Sequence, residues 1–75
     1  MNTIYKQTEN IWYVAWNTFS CEPQSSRLRA GFEVTINRDN VKTFKTKEQA
    51  DSFILNRFPN SEYSINLKEK QEDNG

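Results

Sequence analysis

Ile11-Trp12-Tyr13-Val14-Ala15-Trp16-Asn17-Thr18-Phe19 is the stretch on which the fold turns. It is rich in aromatic and β-branched residues, which suit a pleated surface, and it is too short to stand as an amphipathic helix. It reads as a strand. Side chains alternate across a strand, so Trp12, Val14, Trp16 and Thr18 share one side while Ile11, Tyr13, Ala15, Asn17 and Phe19 share the other. Neither side is polar, so a sheet with only one covering helix exposes some apolar or aromatic surface, the sharpest hint of an interface in the sequence.

C-terminal to this strand, Ser20-Cys21-Glu22-Pro23-Gln24-Ser25-Ser26 reads as a polar loop punctuated by proline. A second strand is expected from Leu28 to Asn37, because Leu28, Ala30, Phe32, Val34 and Ile36 alternate with Arg29, Gly31, Glu33, Thr35 and Asn37. Arg38-Asp39-Asn40 reads as a tight turn. Val41-Lys42-Thr43-Phe44 would then complete a hairpin. The helix has the clearest signals. Thr46 and Gln49 have capping-box spacing, Glu48 sits in the first turn, Ala50, Phe53, Ile54 and Phe58 form one apolar stripe, and Pro59 ends the run. Beyond it, Tyr63, Ile65 and Leu67 alternate with Ser64 and Asn66 as in a short strand. Residues 1–10 read either as a loose arm or as a short edge strand.

The expected fold is therefore α+β: a three- to four-stranded, mainly antiparallel sheet with one helix on one face, in the order β-β-β-α with a short β after it. Residues 1–67 form the single domain, and 68–75 are a charged tail expected to be disordered. With 75 residues the chain buries roughly 60% of its unfolded surface, so packing must be efficient. A single helix leaves the other sheet face in water.

Composition removes most chemistry. There is no histidine, one cysteine (Cys21) and two glycines (Gly31 and Gly75). A hydrolase triad, a zinc set, an internal disulfide and a phosphate-cradling glycine loop are all excluded on these grounds. Glu33 is the only acid within a predicted strand, with Arg29 four residues away, and reads as a solvated partner. No catalytic residue, cofactor or metal is expected; the chain should bind rather than catalyse. A lone thiol fits a reducing compartment. The N-terminus lacks a signal peptide's apolar stretch, and no apolar run is long enough to span a bilayer. The expected setting is cytoplasmic, without a membrane partner.

Ten cations balance ten acids, so no strong field steers the chain to nucleic acid. Locally, residues 23–58 carry seven cations against four acids, a mildly basic middle. The candidate partner-binding residues follow from these patterns. Trp12 and Trp16 are expected to face the helix, since Ala15 and Asn17 weaken the other side; turned outward, they would make an aromatic platform typical of protein hot spots. Tyr13 lies on the side expected to be open, unless Ile4 and Tyr5 fold over it. Arg29 and Lys42 are expected to share that wet face, where a solvated surface and a phosphate-contacting surface are the two readings.

Trp12-Tyr13-Val14 opening a sheet, a hairpin, and then Phe44-Lys45-Thr46-Lys47-Glu48-Gln49-Ala50 opening a helix resemble the arm-type DNA-binding domains of tyrosine integrases. That resemblance implies a three-stranded sheet, backed by a helix, entering the major groove with Arg29 and Lys42 as contacts. The layout is also similar to that of small phage-encoded proteins, including inhibitors of host defence. Another protein is the expected partner, with nucleic acid as the alternative, and an unpaired sheet edge offers a route to a homodimer by strand addition.

Overall fold

The computed structural model describes residues 2–72. Seven elements follow one another: β1 (Asn2–Lys6), β2 (Ile11–Trp16), β3 (Gln24–Leu28), β4 (Glu33–Asn37), β5 (Asn40–Phe44), α1 (Lys47–Arg57) and α2 (Glu62–Glu72). The class is α+β, as the pattern of elements implied, with two helices rather than one. A three-stranded antiparallel sheet has the order β3-β2-β5, and β1 pairs antiparallel with β4 in a separate two-stranded ribbon.

β2 is central, and its two faces build two cores. On one face Val14 is enclosed by Ala50, Ile54 and Phe58 of the helical layer, ringed by Trp12, Trp16, Phe44, Phe53 and Tyr63. The rings meet obliquely: Trp16 lies 5.5 Å from Phe53 and 5.6 Å from Phe58, and Phe44 lies 5.4 Å from Phe53, centroid to centroid. Tilted and edge-on pairs of this kind add about 0.5–1.5 kcal/mol each beyond the area they bury. On the opposite face Tyr13, Ala15 and Leu28 pack with Ile36 of β4, and Ile11, Val34 and Val41 close around them. The sheet face expected to lie in water is therefore covered by the ribbon. A strand apolar on both sides requires two covering layers, and the chain supplies the second from its N-terminus and β4.

Four expectations about elements need correction. The strand expected over Leu28–Asn37 is two strands, because the chain turns at Gly31, whose φ of +84° is left-handed backbone that glycine adopts without strain. Leu28 and Ile36 stay in phase but come from different layers, while Ala30 and Phe32 are exposed. The Arg38–Asp39 turn joins those layers instead of closing a hairpin, since β4 pairs with β1 and β5 with β2. Finally, 63–67 is helical. The tail expected to be disordered from Lys68 onward is α2 as far as Glu72, and residues 73–75 lie outside the described residues.

The helices show why. α1 begins as its sequence signals: the Thr46 hydroxyl accepts the Gln49 N–H, and the Gln49 side chain accepts the Lys45 N–H. α2 combines a local cap with tertiary contacts. The Ser61 hydroxyl accepts the Ser64 N–H, and the Glu22 carboxylate, forty residues back, accepts the Glu62 N–H. These satisfy amides that the first turn of a helix leaves free. Ser64, fully buried, donates to the carbonyls of Ile54 and Phe58 and lets the two helices approach closely.

Candidate functional site

The five residues singled out from the sequence do not assemble into one surface. Trp12 and Trp16 are half-buried on the helix side of β2, spent on packing. Tyr13 is 3% exposed, and its hydroxyl accepts from the Gln24 side chain at 2.9 Å. Lys42 stands opposite Val14 and therefore on the helix side at the β5 edge, where its ammonium lies 5.5 Å from the Phe53 ring and 6.0 Å from Phe44. A cation over an aromatic face is attracted by the ring quadrupole, so this lysine has a structural role at hand. Arg29 is exposed just beyond Leu28, on the β3 side of β2, while Lys42 is on the β5 side. The basic face expected from Arg29 and Lys42 together, beside Tyr13, is not formed.

The exposed aromatic surface lies elsewhere. Phe19 has no cover at all, with a relative exposure of 101%. Its place follows from how β2 ends. The strand stops at Trp16, and the chain turns at Asn17-Thr18-Phe19-Ser20, where the Ser20 N–H reaches the Asn17 carbonyl at 2.9 Å. Asn and Ser favour such turns because their side chains bond nearby backbone. The loop is then fastened on both flanks. On one, the Thr18 N–H donates to the Asp39 carboxylate at 3.0 Å, and the Asp39 N–H donates to the Asn17 side-chain oxygen at 3.1 Å. On the other, the Ser20 hydroxyl accepts the Glu22 N–H at 3.1 Å, and the Glu22 carboxylate caps α2. The Thr18 N–H that it accepts holds the Asp39 carboxyl below the ordinary carboxylate range.

Phe19 is thus a large apolar side chain presented to solvent by a loop tied to the β4–β5 turn and to α2. The sequence reading placed it on a strand face, because the β2 pattern runs on through Phe19. Asn17, depleted in strands and favoured in turns, was the available signal. Cys21 is exposed two residues further on. Other exposed large apolar residues, Ile4, Phe32 and Ile65, are spread over the ribbon, the β3–β4 turn and α2.

Among the described residues no three His, Cys, Asp or Glu side chains converge as a metal set. No described helix is long and apolar enough to cross a membrane. No family model, curated protein or solved structure matches this chain.

Proposed function

We propose that this chain is a non-enzymatic protein-binding module, an inhibitor or adaptor that acts by covering a partner's surface, with Phe19 as its anchor. The observation that supports the reading is the full exposure of Phe19 on a loop fastened at both ends. The loop backbone is fixed before binding, so docking costs only the rotamer freedom of the ring itself, and hot spots are enriched in aromatic anchors. Burying the ring in a partner's pocket contributes about 1.5–3 kcal/mol, roughly tenfold to more than a hundredfold in affinity. The exposed thiol of Cys21 fits a reducing, cytoplasmic setting. No observation favours the nucleic-acid alternative, since Arg29 and Lys42 lie on opposite sides of β2.

The test is affinity capture from a native lysate with the wild-type chain and with Phe19→Asp, followed by titration of the recovered protein. One stoichiometric partner should be retained by the wild type and lost by the variant. Recovery of the same partner, at undiminished affinity, by Phe19→Asp would end the proposal; so would the absence of any saturable partner.

A further inference from the structure

α1 and α2 pack closely where Ser64 meets the Ile54 and Phe58 carbonyls, but not along their whole length. Toward the start of α1 they leave a groove of about 250 Å³, lined by Lys47, Tyr63, Asn66, Leu67 and Lys70. The four α2 residues recur at helical spacing, so they form one stripe facing the groove. Lys47 opens α1 across from them.

The lining is mixed in a specific way. Leu67 and the Tyr63 ring supply apolar surface, Asn66 supplies an amide, and the two lysines supply cations, with no acid among the five. Asp51 lies behind Lys47, taking the Lys47 ammonium at 2.6 Å on one oxygen and the Tyr63 hydroxyl at 3.0 Å on the other. It neutralises one lysine and fixes Tyr63 in place. An ammonium has three donors, so Lys47 keeps donors to spare, and Lys70 has no ion pair among the described residues. Burial holds the Tyr63 hydroxyl in its neutral form well into the alkaline range, with the Asp51 bond acting in the same direction. The neighbouring Ser25 hydroxyl, closed off from solvent, acts against that shift without reversing it.

From this lining we propose that the groove binds a small organic anion: a carboxylate or phosphate carried on a single flat ring. The volume lies below the ~300–1,000 Å³ of sites for drug-sized ligands, which limits the body to about one ring. The charged head would accept from Lys70, Lys47 and Asn66 while the ring lies against Tyr63 and Leu67. This inference is independent of the Phe19 reading, because it concerns the helical layer.

The probes are benzoate and phenyl phosphate, with inorganic phosphate and neutral benzamide as controls, titrated at fixed ionic strength into the ¹⁵N-labelled full chain. Benzoate or phenyl phosphate should produce saturable amide shifts confined to Lys47, Asn66, Leu67 and Lys70, with a Kd of about 1 mM for a ligand of this size. Whichever of the two binds more tightly identifies the head group. Both controls should bind at least ~tenfold more weakly, and Lys70→Gln, at an exposed site that folding does not need, should weaken the aryl anion about fivefold. Shifts scattered over the surface, no saturation by about 20 mM, benzamide or inorganic phosphate binding as well as the aryl anions, or an unchanged Kd in Lys70→Gln would each overturn the proposal.

Discussion

Replacing Ser64 by leucine separates two descriptions of the chain's last third. Read as a strand, 63–67 would point Ser64 to water beside Asn66, and leucine there would be harmless. In the structure Ser64 is fully buried between helices, its hydroxyl 2.6 Å from the Phe58 carbonyl and 3.2 Å from that of Ile54. The two acceptors do not depend on it alone: the Phe58 carbonyl also accepts from Ser61, and the Ile54 carbonyl from the Phe58 N–H. Ser64→Ala should therefore cost only the net value of one hydrogen bond, about 1 kcal/mol. Ser64→Leu loses that bond and also forces two extra methyl groups into a closed contact, for a total of about 2–4 kcal/mol. For a domain of this size each kcal/mol lowers the midpoint by roughly 4–8 °C, so Ser64→Leu should melt at least about 8 °C below the wild type and Ser64→Ala about 4–8 °C below it. Thermal unfolding followed by circular dichroism at 222 nm reads both, and helical signal should fall first if α2 undocks. A leucine variant within about 2 °C of the wild type would refute the docking of α2 through Ser64.

Four further outcomes are expected. Gly31→Ala should lose about 1 kcal/mol in urea unfolding through backbone strain alone, since an added Cβ meets nothing within 4 Å; no loss would mean that the +84° φ is not held. Thr46→Ala should cost about 1 kcal/mol, with Thr46→Ser close to neutral, and equal effects of the two would dismiss the capping role of the hydroxyl. Because the folded state lowers the carboxyl of Asp39, its contribution is present above the unfolded value of about 3.9 and is lost as pH falls through the folded one; the melting difference between wild type and Asp39→Asn should shrink below about pH 4, and a difference constant from pH 7 to pH 2 would contradict it. Phe19→Ser should leave the melting temperature within about 2 °C of the wild type, because the ring buries nothing in the free chain; a larger drop would give Phe19 a structural role.

What could be read from the sequence was whatever is decided within a few residues. The α1 start depends on Thr46 and Gln49, its end on Pro59, and its stripe on 3.6-residue spacing, all local. β2 was legible because its composition is extreme. What failed depends on contacts between distant segments. Gln24-Ser25-Ser26-Arg27 has no apolar signal, yet it forms a strand because the β2 backbone offers it a partner. Period-2 alternation in 63–67 masked a local helix start, the Ser61 cap before Glu62, which the contacts of Glu22, Ile54 and Phe58 reinforce. Alternation from Leu28 to Ile36 hid the break at Gly31, since these two buried positions of different layers are an even offset of eight apart. The placement of Tyr13 was hidden for the same reason: it is buried by a ribbon whose strands, β1 and β4, lie far apart in the chain.

The surplus of aromatic residues first suggested an uncovered sheet, and its distribution now argues for a different surface. Trp12, Trp16, Phe44, Phe53, Phe58 and Tyr63 all gather around Val14 and Ile54, and Tyr13 closes the opposite core. A small domain with one cysteine, and so no internal disulfide, needs rings of that size to reach adequate burial, so their number alone carries no functional meaning. Phe19 is different because packing does not explain it. The hydrogen bonds that fix its loop are made by Asn17, Thr18, Ser20 and Glu22, with Asp39 and α2 as partners, and none involves the ring. A serine at 19 would leave every one of them intact and would cost less exposed apolar surface. The size of Phe19 therefore serves no contact among the described residues, and that is the observation on which the proposed docking to a partner rests.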